Sequence, residues 1–298
     1  MGSIMLEAYR NYWACRPDVP LVQPVGLEEL ALNGATTVLV HHAPASPTGR
    51  PVLVLHGIES HPLWFVSSAD ALATRGHDVY GLQRRGSGLT KQDRGHAHSP
   101  AQLLSDLEAA VKYVLAQTKS DRLQLVGISW GGKLAACYAL NPARAAALAG
   151  LTLIAPGVAP NVDLHWKQKL LVALCALAAP QEEFSVPLED PSLFTENPAR
   201  QAYIRKDPYR LHTVTARFLA TSRLLDRQLA VAPAGSLTMP VHLILAERDR
   251  IIDNLHTRAI IERLAGDGLH IHELAGSHTL EFERDPAAFY ETLAGTLA

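Results

Sequence analysis

The stretch that decides the fold is Leu123–Gly132, which reads LQLVGISWGG. Its first half is a short apolar run typical of a buried strand, and the small residues at its end predict the start of a helix. Between them lies GISWG, a G-x-S-x-G motif typical of a serine on a tight strand-to-helix turn. Glycine is favoured at Gly127 and Gly131 because a Cβ would collide with neighbouring atoms there. The motif predicts that Ser129 is a nucleophile at the edge of a sheet; the alternative is a glycine-rich helix start that only packs on a strand.

Short apolar runs and helical segments alternate on both sides of this motif. The runs that predict further strands are Thr36–His41, Pro51–His56, His77–Leu82, Leu148–Ile154, Pro240–Leu245 and Leu269–Leu274. The segments that predict helices are Leu63–Arg75, Ser99–Thr118, Trp130–Leu140, Leu255–Leu264 and Pro286–Thr296. Regular alternation of this kind implies right-handed crossovers and a mainly parallel sheet covered by helices. We therefore expect an α/β fold.

The alternation breaks between residues 158 and 236, where no strand is evident. Two helical segments, Trp166–Ala178 and Val214–Leu229, are joined there by a proline-rich, acidic stretch. We therefore expect a core made of residues 1–157 and 237–298, with residues 158–236 inserted as a helical cap, or lid.

Apolar side chains are concentrated in the first of these inserted helices. The run Leu170–Ala179 is far short of the roughly 20 residues that a membrane-spanning helix needs, so stable membrane insertion is not expected. We expect instead that it is the inner face of a cap helix over a substrate pocket, because ligand pockets are largely apolar. Trp166, Leu170 and Phe218 are the candidate substrate-binding side chains.

A second candidate element is the sequence HGIE at residues 56–59, directly after a predicted buried strand. Its glycine allows a sharp turn, so that the Ile58 N–H can point towards the serine. Together with the Trp130 N–H, this group would form an oxyanion hole, in which each donor is typically worth a few kcal/mol. We expect His56 to hold the loop rather than to take part in the chemistry, and Glu59 places a carboxylate beside it.

A serine hydroxyl is a weak nucleophile at neutral pH and needs an adjacent base. Among the 14 histidines, His278 is the candidate because it follows the last predicted strand in a loop of small residues. The acid that orients it is expected to be Asp249, which follows the strand Pro240–Leu245, with Glu247 and Asp253 as alternatives. The order Ser, Asp, His along the chain agrees with a strand–turn–helix nucleophile.

Five sequences carry a resemblance to a known family: LHGIESH, RRGSG, VGISWGGKLA, LILAERDRIID and GSHTLEF. They resemble the α/β-hydrolase superfamily, and most closely its monoacylglycerol lipase and lysophospholipase-like branch. The resemblance covers about Pro51 to the C-terminus and implies an α/β-hydrolase fold with an inserted cap. It also implies the following roles: nucleophile Ser129, acid Asp249, base His278, and oxyanion donors Ile58 and Trp130. Two residues differ from the branch, since Ile128 stands where histidine is usual and Gln83 where aspartate is common.

The motifs and the resemblance predict a serine hydrolase that cleaves a carboxylic ester with a moderately hydrophobic acyl or alcohol group through an acyl-enzyme. The alternatives are a thioesterase acting on carrier- or CoA-bound acyl chains, a transacylase or cyclase, and a non-catalytic ligand-binding protein on the same fold. A thioesterase that meets a carrier protein would need a basic entrance. The candidate side chains for it are Arg200, Arg205, Lys206 and Arg210.

Composition and charge narrow the choice of partners. The chain has 298 residues, 48% of them hydrophobic, and a formal charge of -2, so a small-molecule acyl substrate fits and nucleic acid is disfavoured. The cysteines Cys15, Cys137 and Cys175 form neither a disulfide framework nor a metal-binding spacing. With no apolar stretch of signal-peptide type near the N-terminus, we expect a cytoplasmic protein.

No metal or organic cofactor is expected. The histidine pairs His41/His42, His96/His98 and His270/His272 have no carboxylate or cysteine at a recurring ligand spacing. The sequence GSG at residues 86–88 is too short for a phosphate-binding loop. For Arg84 and Arg85, a structural ion pair is preferred over an anionic substrate.

Overall fold

An eight-stranded sheet forms the centre of the protein in the computed structural model, which describes residues 7, 21–23 and 25–297. The strands are β1 (Val25–Leu32), β2 (Ala35–His42), β3 (Val52–Leu55), β4 (Val79–Leu82), β5 (Leu123–Ile128), β6 (Leu148–Ile154), β7 (Glu183–Ser185), β8 (Thr213–Thr215), β9 (Val241–Ala246) and β10 (Leu269–Leu274). The sheet order is β1-β2-β4-β3-β5-β6-β9-β10. β2 pairs antiparallel with β1 and β4, and the other neighbours pair parallel. The predicted α/β fold with a mainly parallel sheet is confirmed.

Helices follow most of the strands. They are α1 (Val66–Thr74), α2 (Pro100–Thr118), α3 (Trp130–Ala139), α4 (Pro142–Ala145), α5 (Trp166–Ala178), α6 (Pro198–Lys206), α7 (Ala216–Val231), α8 (Asn254–Ala265) and α9 (Ala287–Gly295). Short 3₁₀ turns occupy Pro62–Phe65, Pro191–Leu193, Gly266–Gly268 and Leu280–Phe282. The predictions made for residues 1–20, for Cys15 among them, and for residue 298 lie outside the described residues, apart from residue 7.

The sequence signals explain why these elements form. Every residue of β3 and β5 is buried, as expected for apolar runs with a neighbouring strand on each side. Helix α2 begins where Ser99 accepts a hydrogen bond from the Gln102 N–H at 3.2 Å, with Pro100 at the first helical position. Strand β1 was not predicted, because its sequence VGLEELAL does not alternate as a half-buried strand should.

The antiparallel end of the sheet is also held by a histidine between two carboxylates. On β2, His41 Nδ1 lies 2.7 Å from a Glu28 oxygen, and Nε2 lies 2.5 Å from an Asp78 oxygen. Burial lowers the pKa of His41, but the hydrogen bonds and charges of Asp78 and Glu28 together raise it above its ordinary value. His41 therefore links β1, β2 and the residue that precedes β4.

The insertion, residues 158–236, leaves the sheet after β6 and returns at β9, which is the neighbour of β6. The prediction that it holds no strand is wrong, because β7 and β8 pair antiparallel there. Each of these strands has three residues, which is too few for an alternating pattern to be recognised. Helix α5 has the predicted bounds, α7 begins two residues later than predicted, and α6 was missed.

Helix α5 turns most of its apolar side chains outwards. Trp166, Leu170, Leu174 and Leu177 are 64%, 57%, 58% and 83% exposed, and Leu171 is also exposed. In this helix only Val172 and Ala176 are buried. The prediction that Leu170–Ala179 forms an inner face is therefore wrong: a helix that is apolar on all sides can bury only the stripe that meets its neighbour, here α7.

Candidate active site

Ser129 occupies a strained turn between β5 and α3. Its φ of 52° and ψ of -123° are unusual for a residue other than glycine. The glycines around it are required by space. A Cβ on Gly131 would lie 2.5 Å from the Leu55 carbonyl oxygen, and a Cβ on Gly127 would lie 2.6 Å from the Gly132 Cα. The backbone can therefore make this turn only with small residues on either side of the serine.

The structure brings Ser129, His278 and Asp249 together in one hydrogen-bonded chain. The distance from His278 Nε2 to Ser129 Oγ is 2.9 Å, and from His278 Nδ1 to Asp249 Oδ2 it is 2.8 Å. The Asp249 side chain is fully buried and that of His278 is 3% exposed. An Asp249 carboxylate can only accept, so Nδ1 carries the imidazole proton and Nε2 is left to accept from the Ser129 hydroxyl.

Sheet topology explains how residues far apart in sequence meet here. Ser129 follows β5, Asp249 follows β9 and His278 follows β10, and all of these strands are parallel. The carboxyl ends of parallel strands lie along one edge of the sheet, which is where α/β proteins place their ligands. Asp249 is fixed further, because its Oδ1 accepts hydrogen bonds from the N–H groups of Ile251 and Ile252 at 2.8 and 2.9 Å.

The alternative acids and histidines lie elsewhere. Glu247 is exposed, and Asp253 caps helix α8 by accepting from the His256 N–H at 2.9 Å. His270 and His272 stack against His242 on strands β9 and β10. Within the described part of the chain, no set of three or more histidine, cysteine or acidic side chains is arranged to hold a metal ion.

The loop after β3, residues 56–61, lies against the serine. A Cβ on Gly57 would be 3.3 Å from Ser129 Cβ and 3.6 Å from its Oγ, so the backbone that leads to Ile58 passes directly beside the hydroxyl. The His56 ring fixes this backbone by hydrogen bonds. Its Nε2 accepts from the Arg84 N–H at 3.1 Å, so the proton is on Nδ1, which donates to the Gly57 carbonyl at 2.8 Å. Burial and the charge of Arg84 lower the pKa of His56 well below its ordinary value, so the ring is neutral.

The adjacent arginines have different environments. Arg85 forms a buried ion pair with Asp106, with nitrogen–oxygen distances of 2.7 and 2.8 Å, as the sequence predicted. Arg84 has no such ion pair among the described residues, so the prediction is wrong there. Its guanidinium carbon lies 4.9 Å from the ring centres of both Trp130 and Phe218, and its Nη2 donates to the Ile58 carbonyl at 2.9 Å. Burial lowers the pKa of Arg84 to about 9.

The three predicted substrate-binding side chains lie in different surroundings. Phe218 is fully buried on α7 and stacks on Trp130 with ring centres 5.1 Å apart. Trp166 and Leu170 belong to the exposed face of α5. Phe218 therefore supports the side chain of a proposed oxyanion donor, whereas the other two face outwards.

The four residues predicted as a basic entrance do not form one. Arg210 is buried in an ion pair with Glu59, with a nitrogen–oxygen distance of 2.7 Å. Arg200 lies over the Phe282 ring, and Arg205 and Lys206 are exposed at the end of α6. The sequence did not reveal the contact between Glu59 and Arg210, because 151 residues separate them.

Comparison with known proteins gives the family. Residues 46–285 match the family described as serine aminopeptidase, S33. The chain belongs to this family. It is a serine hydrolase, and the resemblance to α/β-hydrolases of the monoacylglycerol lipase-like branch is confirmed.

Individual relatives agree with this assignment. A monoacylglycerol lipase from Mycolicibacterium smegmatis is 24% identical over 231 residues, which is 76% of this chain and 80% of the relative. The structure of a soluble variant of monoglyceride lipase from Saccharomyces cerevisiae, solved with a substrate analogue, aligns with a TM-score of 0.79 at 18% identity, covering 94% of this chain and 99% of the other. The monoacylglycerol lipase of Paleococcus ferrophilus gives a TM-score of 0.75 at 20% identity, covering 87% and 99%.

Among the residues that the structure describes, no helix is both long enough and apolar enough to cross a membrane.

Proposed function

We propose that this protein hydrolyses carboxylic esters with a moderately hydrophobic acyl or alcohol group, with Ser129 as nucleophile, His278 as base and Asp249 as orienting acid. The observation that carries the proposal is the chain of hydrogen bonds from Ser129 through His278 to Asp249, at 2.9 and 2.8 Å. These distances lie within the range that proton transfer between a nucleophile and its base requires.

In the proposed reaction, His278 Nε2 takes the Ser129 proton while the serine oxygen attacks the ester carbonyl. Asp249 stabilises the imidazolium that forms. The carbonyl oxygen becomes an oxyanion, which accepts hydrogen bonds from the Ile58 and Trp130 N–H groups. His278 then gives its proton to the departing alkoxide, leaving an acyl-serine. His278 then takes a proton from a water molecule, which attacks the acyl carbon. The carboxylic acid departs as His278 returns the proton to the Ser129 oxygen, which restores the free serine.

A hydrophobic substrate is supported by the insertion and by the relatives. The relatives named above are called monoacylglycerol or monoglyceride lipases, and we propose a lipid-like monoester for this chain as well. The exposed apolar face of α5 provides a surface on which an acyl chain can lie before it enters the site. We further propose that residues 158–236 act as a cap over a core of residues 1–157 and 237–298.

The contacts of Glu59 favour an ester over a peptide with a free N-terminus. An aminopeptidase needs an unpaired carboxylate near the nucleophile to bind the substrate ammonium group. Glu59 is the acidic side chain on the loop beside Ser129, where Arg210 pairs with its Oε2 and its Oε1 is buried. A thioesterase that docks a carrier protein has weaker support, because Arg210 is not at a surface entrance.

The test is turnover of p-nitrophenyl esters from acetyl to decanoyl, together with labelling by a fluorophosphonate. We expect the wild type to turn over and label, Ser129→Ala to do neither, and Ser105→Ala, a change of an exposed serine, to behave as the wild type. The chain-length optimum then measures the acyl site. Wild-type protein that neither turns over nor labels would contradict the proposal and favour a ligand-binding protein. Labelling without net hydrolysis would favour a transacylase or cyclase.

A further inference from the structure

The loop after β3 is held at each of three consecutive carbonyl groups. The His56 ring donates to the Gly57 carbonyl at 2.8 Å, and Arg84 donates to the Ile58 carbonyl at 2.9 Å. The carbonyl of Glu59 accepts from the Leu211 N–H, also at 2.9 Å. The first two contacts come from the core, but the third comes from the insertion. The part of the loop that carries the proposed Ile58 donor is therefore fixed from two separate parts of the chain.

The insertion also binds the Glu59 side chain. Arg210 donates to one carboxylate oxygen through Nε at 2.8 Å and Nη2 at 2.7 Å, and its Nη2 lies 2.6 Å from the Leu188 carbonyl oxygen. Glu59 and Arg210 are 1% and 3% exposed. Burial raises the pKa of Glu59 to about 8, although the charge and hydrogen bonds of Arg210 lower it. The paired geometry is favoured because any other arrangement leaves the Arg210 guanidinium without its acidic partner, away from water.

A further contact lies two residues further along the same loop, at His61. His61 Nε2 is 2.9 Å from an Asp207 carboxylate oxygen, and the Trp64 indole N–H donates to that oxygen at 2.5 Å. Both the His61 and Asp207 side chains are fully buried. Residues 207–211 of the insertion thus contact the loop at Glu59 and at His61, and we call these residues the clamp segment.

We propose that Arg210 is a positioning residue for the oxyanion hole: by holding Glu59, it keeps the preceding Ile58 N–H directed at the ester oxygen beside Ser129. The proposal rests on the proposed function of Ser129 and Ile58. Ordering the loop costs more at Gly57 than it would at another residue, since a glycine loses more conformational freedom on ordering than any other residue. The clamp segment removes that freedom from the side of the insertion, so the insertion forms part of the catalytic geometry as well as a cover.

An oxyanion hole stabilises the transition state only when its hydrogen-bond donors are correctly placed. Its donors must lie about 2.7–3.1 Å from the position of the oxyanion, and the loss of one donor costs about 10²–10³ in kcat. A loop that is displaced, but still present, should lose part of that factor. The loss falls mainly on kcat and little on KM, because the interaction strengthens in the transition state.

The experiment compares Arg210→Met with Arg263→Met. Arg263 is a matched control: it also joins core to insertion, through the Leu229 carbonyl at 2.6 Å, but it lies away from the loop. For each variant, kcat and KM are measured with p-nitrophenyl butyrate. The value of kcat is calculated from the concentration of sites that a fluorophosphonate labels. The inhibition constant of butylboronic acid, which forms a tetrahedral adduct with a serine, is measured in parallel. Counting labelled sites removes the effect of any misfolded fraction.

For Arg210→Met we expect a fall in kcat of about 10- to 100-fold with KM within about threefold, and a proportional weakening of the boronate. Arg210→Lys should recover part of kcat, and Arg263→Met should stay within about threefold of the wild type. Unchanged kcat in Arg210→Met, equal losses in both methionine variants, or a change in KM alone would overturn the proposal. If Arg210→Met does not fold, Glu59→Gln decides by the same readouts. A wild type without labelling would refute the proposed function instead, before any variant is compared.

Discussion

Replacing Asp249 by asparagine should disable the enzyme by forcing the wrong histidine tautomer. Asp249 Oδ1 accepts two hydrogen bonds, from the backbone N–H groups of Ile251 and Ile252. In Asp249→Asn the amide oxygen must occupy that position, because an NH₂ group there would meet two donors. The NH₂ then faces His278 Nδ1, which can only accept from it. The imidazole proton therefore moves to Nε2, the atom that should receive the Ser129 proton.

The expected loss is large because the geometry survives while the base is in the wrong form. A change of this type costs of order 10⁴ in kcat, which corresponds to about 5.4 kcal/mol of transition-state stabilisation. The measurement is kcat/KM for p-nitrophenyl butyrate, with the melting temperature as a check that the variant folds. Asp253→Asn is the matched control, since asparagine caps a helix about as well as aspartate does. If Asp249→Asn retained more than about a tenth of wild-type activity, the assigned role of Asp249 would be refuted.

Three further outcomes follow from the structure. Gly131→Ala should lose about 1–3 kcal/mol of stability and most of its activity, because the new Cβ would lie 2.5 Å from the Leu55 carbonyl oxygen. A melting temperature equal to that of the wild type would contradict this. The raised pKa of His41 stabilises the fold fully below the unfolded pKa of about 6.5, and this stabilisation is lost as pH rises through the folded pKa. Across that window the free energy of urea unfolding should fall more steeply with pH in the wild type than in His41→Gln. Parallel dependences on pH would refute this. The double variant Leu174→Ser and Leu177→Ser, at two exposed positions of α5, should change stability by less than about 0.5 kcal/mol. Its activity on decanoyl esters should fall relative to its activity on acetyl esters. A ratio of the two activities equal to that of the wild type would show that α5 does not bind the acyl chain.

The sequence predicted the parts of this protein that local rules determine. The turn at Ser129 needs small residues on both sides, and this requirement is visible as G-x-S-x-G between an apolar run and a helix. Position after a strand selected His278 and Asp249, because the ends of parallel strands meet at one edge of a sheet. These residues could be chosen without knowing any distance.

The missed features depend on contacts between distant segments or on orientation. Helix α5 carries apolar residues on all sides, so its sequence has no periodicity that would show which face meets α7. Strands β7 and β8 are three residues each and are held by pairing with one another. Arg84 and Arg85 are adjacent and chemically identical, yet among the residues that the structure describes only Arg85 meets a carboxylate. The pairing of Glu59 with Arg210 depends on how the insertion folds back over the core, which no local pattern records.

The central claim, that Ser129 is the nucleophile of a serine hydrolase, is tested most directly by locating the covalent adduct. Wild-type protein is treated with a fluorophosphonate, and its peptides are sequenced by mass spectrometry. We expect one phosphonyl group per chain on the peptide that contains Ser129, and no adduct in His278→Gln, which lacks the proposed base. An adduct on another serine, or an equal rate of labelling in His278→Gln, would contradict it.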